Sequence, residues 1–213
     1  MGMNCGCPAA ESLASLTIPQ CKESLGQIQK VIFQRRVGSS GLNNIPAASI
    51  IAKTSMASLQ SATDGTKIVV SPFIQNPETE PGAARTFGGG NQTPGGIEII
   101  IGREPTAFTG VIRQEPQSVI KTLKSYQCED LAVFLIDEYG NIAAQPVYST
   151  SGSTSTITGY KGFPIESLFI GDKDLGGTEE PDSNAINWSF KPNWSDDLVI
   201  VKQSTMDYNP LDL

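Results

Sequence analysis

The sequence contains no histidine. That removes the commonest acid/base group near neutral pH and the commonest metal ligand, and with them any Ser-His-Asp or Cys-His centre. Charged residues make up only 17% and aromatic residues only 7%. A nucleic-acid groove needs basic side chains interleaved with aromatics, and no segment offers that combination. No apolar run is long enough to cross a bilayer, so no membrane partner is expected. The opening Met1-Gly2-Met3-Asn4-Cys5-Gly6 has no apolar core of a secretory or lipoprotein signal. It also places Gly6 where a myristoylation pattern needs Ser or Thr. Cysteine is sparse: Cys5, Cys7, Cys21 and Cys128. Their spacing matches no zinc ribbon or finger, although the four thiolates together could hold zinc. Free, reduced thiols are the expectation, and no cofactor is expected.

The chain does contain 213 residues, 38% of them apolar, with 21 Gly and 14 Pro. That length allows a core burying roughly 70% of the surface an unfolded chain exposes. So much glycine and proline predicts many turns and few long helices. The net charge of −7 should repel nucleic acid over most of the surface. Lys and Arg outnumber Asp and Glu over residues 1–75, and the reverse holds over residues 171–213. Such a gradient suits head-to-tail contact between copies; it equally suits charges that merely solvate different faces.

Residues 1–24 read as an irregular N-terminal arm, and residues 25–213 as a single β domain. Strands are expected at Gln27–Arg36, Ala48–Ala52 and Lys67–Ile74, where Pro72 marks a sheet edge. Thr54–Ala62 reads as a short helix capped by Thr54 or Ser55. Residues 75–96 hold three prolines and six glycines without periodicity, and read as one long loop. Ile97–Gly102 reads as a strand buried on both faces, forming a hairpin with Thr106–Arg113. Glu115–Tyr126 is the clearest helix, with Pro116 first and Val119, Ile120, Leu123 and Tyr126 on one face. Further strands are expected at Leu131–Asp137, Ile142–Tyr148, Ile157–Tyr160, Phe163–Ile170, Ala185–Phe190 and Leu198–Lys202. Residues 149–156 read as a hairpin loop and Gly171–Ser183 as an acidic loop. The fold class is therefore mainly β, a sandwich or barrel with one or two short helices packed on a sheet.

The candidate chemistry is thin. Gly88-Gly89-Gly90 is not followed by the Gly-Lys-Ser/Thr of a phosphate loop. Asp172 and Asp174, beside Glu179, Glu180 and Asp182, could offer hard oxygens to calcium but lack the ligand ladder of a calcium loop. No pair of acids is framed by aromatics as glycoside hydrolysis would ask. Trp188 sits on an alternating strand and is expected in the core. Arg35 and Arg36 are adjacent on a strand and point to opposite faces, a weak signal for an anionic partner. No enzymatic activity is expected.

The segments IPQCKESLGQIQKVIFQR (18–35), ATDGTKIVVSPF (62–73), FGGGNQTPGG (87–96) and FIGDKDLGG…PDSNAINWSFKPNWSDDLVIV (169–201) resemble structural proteins of tailed phages and prophages of Bacteroides-type bacteria. Within that group the chain is similar to tail tube proteins. The resemblance implies a tail-tube-like β fold and a homo-oligomeric ring, hexameric and stacked head to tail. It also implies other virion proteins as partners and an acidic lumen through which double-stranded DNA passes without specific contact. It implies a place in the virion, assembled in the bacterial host cytoplasm. It further implies that the 75–96 loop reaches a neighbour, so that Glu78, Glu80, Arg85, Phe87, Gly88, Gly89, Gly90 and Asn91, with Arg35 and Arg36, lie at the subunit interface. A head-tail connector ring, a capsid-decorating protein or a fibre component is the alternative within virions, and a carbohydrate- or surface-binding module is the alternative of another class.

Overall fold

The computed structural model describes residues 16, 18, 24–39, 41–151 and 154–213. The expected arm at 1–24 falls almost wholly outside them, as do Cys5, Cys7 and Cys21. In chain order the first elements are β1 (Ile28–Arg35), β2 (Val37–Gly38), β3 (Gly41–Leu42), β4 (Ile45–Pro46), α1 (Ala47–Ile50) and α2 (Lys53–Ser61). The middle holds β5 (Ile68–Val70), β6 (Gln75–Glu80), β7 (Ala84–Gly88), β8 (Glu98–Arg103), β9 (Thr106–Arg113) and α3 (Gln117–Ser125). The remainder comprises β10 (Leu131–Asp137), β11 (Ile142–Ser151), β12 (Thr154–Lys161), β13 (Phe163–Ile170), β14 (Ser183–Phe190) and β15 (Val199–Val201).

The fold is mainly β, and its central feature is a closed ring of antiparallel ladders. β1 pairs with β10, β10 with β13, β13 with β14, β14 with β9, and β9 with β6. Closure comes from the segment that carries β5 and β6. β5 pairs with β1, then Ser71 N donates to Val31 O at 2.8 Å and Ile74 N to Gln29 O at 2.7 Å, before β6 moves onto β9. Closing a sheet in this way removes edges that would otherwise invite association.

Period-two alternation decides what fills the barrel. Val31 and Phe33 of β1 point inward, with Leu131, Val133 and Leu135 of β10 and Ile186, Trp188 and Phe190 of β14. On β13 the inward set shifts from Phe163 and Ile165 to Leu168 and Ile170, because Ser167 adopts φ 57° at an irregularity in the ladder. A bulge of this kind swaps the faces of every following residue. Aromatic rings fill much of the interior. Phe108 stacks on Trp188 at 4.0 Å and Phe190 on Trp194 at 4.4 Å. Gly110 faces this core where a Cβ would lie 2.4 Å from Ile74 Cγ2, so glycine is required for the approach. α3 closes one end by burying Ile120 and Leu123.

The opposite faces of β1 and β10 back a second core. Ile32, Phe134 and Ile136 meet Ile45, Ile50, Met56, Ile142, Val201 and Tyr208 there. The two polar side chains that β1 buries on this side are both satisfied: Lys30 Nζ donates to Leu211 O at 2.6 Å and Gln34 Nε2 to Thr66 O at 2.9 Å. Burial lowers the Lys30 pKa, while nearby Asp212 opposes that fall. The buried Tyr208 hydroxyl donates to Ile50 O at 2.8 Å, and burial beside Asp207 raises its pKa.

Several expectations need correcting. Residues 75–96 do not form a single loop: β6 and β7 occupy much of that stretch. Ile97–Gly102 is not a buried strand, since nearly every residue of β8 is exposed. It pairs with β7, not with the Thr106–Arg113 strand. Ala48–Ala52 is not a strand; α1 covers most of it. Neither Thr54 nor Ser55 caps α2, whose N-cap is Ala52. Instead Asp207, far along the chain, accepts from Lys53 N at 2.7 Å. Pro116 is the N-cap of α3 and not its first residue.

Candidate functional site

The feature that stands apart from both cores is the hairpin of β7 and β8. It prolongs the β6–β9 ladder past Pro81 and Pro105, where Glu104 N donates to Ala83 O at 2.9 Å. At Gly82 a Cβ would lie 1.9 Å from Glu104 O, so the two segments cross as closely as backbones can. Arg103 Nη1 donates to Asn193 Oδ1 at 2.7 Å and ties the hairpin base to the barrel rim.

The glycine-rich stretch is the hairpin tip. Gly88, Gly89, Gly90, Gly95 and Gly96 all have positive φ, which side chains other than glycine rarely accept. Thr93 closes the tip: its hydroxyl accepts from Gly89 N at 3.2 Å and donates to Ile97 O at 2.6 Å. Thus Gly88, Gly89 and Gly90 serve backbone geometry.

The hairpin is apolar on both faces and covered on neither. Phe87 stands opposite Ile99 on one face, and Thr86 opposite Ile100 on the other. Phe87 is 56% exposed, Ile97 67%, Ile99 37%, Ile100 60% and Ile101 57%. A two-stranded ribbon is marginal in water by itself, and beyond its base, where Arg103 meets Asn193, large apolar side chains of this one stay exposed. Contiguous exposed apolar surface of this kind marks an interaction site.

The other residues singled out in the sequence fall into three groups. Glu78 and Glu80 lie on β6 opposite Thr109 and Ala107, exposed at the hairpin root; Arg85 and Asn91 are exposed on the arm itself. Arg35 and Arg36 lie elsewhere, Arg35 as the last residue of β1 and Arg36 just after it. They are bound within the chain, Arg35 Nη2 to Glu129 Oε1 at 2.7 Å and Arg36 Nε to both Asp130 oxygens at 2.9 Å. The Arg36 bond holds the Asp130 carboxyl below its usual range and raises the guanidinium. Pointing to opposite faces, as adjacent strand residues do, each arginine meets its own acid.

The acidic loop is similarly spent. Asp172 is 97% exposed and pairs with Lys124, which lowers its pKa; Asp174 bonds through its backbone to Ser183. Arg113 lies 3.7 Å from Glu180 and Lys173 3.8 Å from Asp182. Among the described residues no group of three or more Cys, Asp or Glu is placed to hold a metal ion. Cys128 is exposed and unpaired. Among the described residues no helix is long and apolar enough to cross a membrane.

A cavity of about 480 Å³ lies at the other end of the barrel from the arm, where β1 ends and β5 and β10 begin. Phe33, Val69, Tyr126 and Leu131 supply its apolar walls, and Arg35, Asp64, Lys67 and Glu129 its charged ones. Nothing in the sequence marked it, because its lining comes from three separate segments.

No protein-family model matches the chain, and no curated protein matches it. A solved structure described as "Crystal structure of Hcp protein" is similar over 76% of this chain and 88% of that one, at 12% identity and a TM-score of 0.25. A likeness at that level carries no argument, and the fold class stands on the ladders described above.

Proposed function

We propose that this chain is a non-enzymatic structural subunit that acts by binding copies of itself, and that its assembly is the tail tube of a tailed phage. The observation that carries the reading is the hairpin arm, which projects from a closed barrel with apolar side chains on both faces. Ordering such an arm is favourable once a neighbour covers it. In the proposed particle the subunits form hexameric rings stacked head to tail, other virion proteins bind the ends, and double-stranded DNA passes through the lumen. The net charge of −7 supports a lumen that repels the phosphate backbone. The resemblance of the 18–35, 62–73, 87–96 and 169–201 segments to phage structural proteins supports the virion setting.

The test is sedimentation and negative-stain microscopy of purified protein, beside a variant in which Ala83 is joined to Glu104 through two glycines. Those residues are already bonded, so the shortened ladder closes without strain. Wild type is expected to form rings or tubes and the variant a folded monomer. A monomeric wild type, or a variant that polymerises at the wild-type rate, removes the reading. A carbohydrate-binding module draws no support, since Trp188 is buried and Trp194 is stacked on Phe190.

A further inference from the structure

Asp64 is followed by Gly65, and no other Asp or Asn in the chain precedes a glycine. That pairing has a chemical consequence. The backbone nitrogen of a glycine is shielded by no Cβ of its own, so the carboxyl carbon of the preceding side chain can reach it. Both residues line the 480 Å³ cavity, and Asp64 is exposed.

The fold keeps that glycine. A Cβ on Gly65 would lie 3.2 Å from Gly38 Cα, and Gly38 is held in β2. The turn is also pinned residue by residue. Lys67 N donates to Asp64 O at 3.2 Å, Asn43 Nδ2 to Gly65 O at 2.6 Å and Gln34 Nε2 to Thr66 O at 2.9 Å. The Asp64 carboxyl is held from within the turn, its Oδ1 accepting from both the backbone N and the hydroxyl of Thr66.

We infer that Asp64 is the position at which this protein isomerises to isoaspartate, and that the Thr66 hydroxyl restrains the reaction. The Gly65 nitrogen loses its proton and bonds to Asp64 Cγ, whose hydroxyl departs with that proton as water; a five-membered ring closes. Water then adds at the Asp64 main-chain carbonyl carbon, and the bond from that carbon to nitrogen breaks. The main chain now runs through Cβ and Cγ, one carbon longer, and the old carbonyl is a free carboxylate. Mass is unchanged, and nothing is oxidised or reduced.

Thr66 opposes the first step. Only a protonated carboxyl loses water readily, and two donors on Oδ1 favour the anion, holding the Asp64 carboxyl below its usual range. The other charged groups lining the cavity are Lys67 on the same turn, and Arg35 and Glu129, which pair with each other. The added carbon has no room beside Gly38, so isomerisation displaces the cavity wall formed by residues 62–67.

The test uses purified wild type, Thr66→Val and Thr66→Ser, kept for weeks at about pH 6, where the carboxyl is still protonated part of the time. Isoaspartyl peptides are then separated by chromatography after digestion and placed by mass spectrometry. Wild type should accumulate isoaspartate at Asp64 before any other position, and more slowly than the same chain unfolded in urea. Thr66→Val should react roughly three- to tenfold faster than wild type, as loss of one hydrogen bond to a charged group would cause. Thr66→Ser keeps the hydroxyl and should react at the wild-type rate. Isoaspartate arising first elsewhere, or never at Asp64, overturns the site. A Thr66→Val rate equal to wild type, or a Thr66→Ser rate equal to that of Thr66→Val, overturns the restraint.

Discussion

Replacing Phe87, Ile97, Ile99, Ile100 and Ile101 with threonine should abolish assembly and leave the monomer as stable as before. Their exposed fractions, between 37% and 67%, together equal nearly three fully exposed side chains. Burying a large aliphatic or aromatic side chain is worth about 1.5–3 kcal/mol, so covering the arm contributes about 4–8 kcal/mol per contact. Association has to overcome about 4–15 kcal/mol of lost freedom, which makes this contribution decisive. Threonine keeps the β propensity of the strands and removes most of the apolar surface. Sedimentation across a concentration series should show association weakened by at least about a thousandfold. Thermal unfolding followed by circular dichroism should move by less than about 2 °C, because none of the five side chains belongs to either core. Persistent assembly would refute the reasoning. So would a large loss of monomer stability, since it would mean that the arm belongs to the core.

Three further expectations follow from the two cores. Asp137 is fully buried and accepts from Gly26 N, Tyr139 N, Asn141 N and Asn141 Nδ2; Asp137→Ala should cost about 1–3 kcal/mol for each donor left unpaired, read as a marked fall in the denaturation midpoint. Asp207→Ala removes the one side-chain acceptor at the start of α2 and should cost about 1 kcal/mol in the same assay. Burial raises the folded pKa of Tyr208 above its ordinary value of 10.0, so its contribution is complete below about pH 10 and is lost as pH climbs above that. Lys30, with a lowered folded pKa, acts in the other direction, its burial penalty fading as pH rises toward 10.5. Tyr208→Phe should therefore lose less stability than wild type between pH 10 and 12 in urea titrations, and an equal loss would rule out this account.

Much of the barrel could be read from the sequence because its strands bury alternating or continuous apolar residues. The arm could not. A run such as Glu98–Gly102 looks the same whether the protein covers it or a neighbour does, and the pattern alone favoured burial in the chain's own core. The glycines and prolines between Gln75 and Gly96 read as loop because they are turn formers, yet most of them sit at the kink and tip of paired strands. Two elements were missed for non-local reasons. The acceptor for α2 is Asp207, outside any capping window, and the cavity is assembled from residues spread between Phe33 and Leu131. The residues expected at an interface fall in two places. The hairpin residues and Glu78 and Glu80 do lie together, whereas Arg35 and Arg36 are already occupied by Glu129 and Asp130.

β1 and β10 form a party wall: one side lines the barrel, the other lines the second core, and almost no residue on either strand sees water. Neither compartment can melt while the other stands, so the body of the protein should unfold as a unit. Sequence drift is then confined to places that touch no wall, the acidic 171–183 loop foremost, and a polar substitution anywhere along Val31–Phe33 or Leu131–Ile136 would bring down both rooms at once.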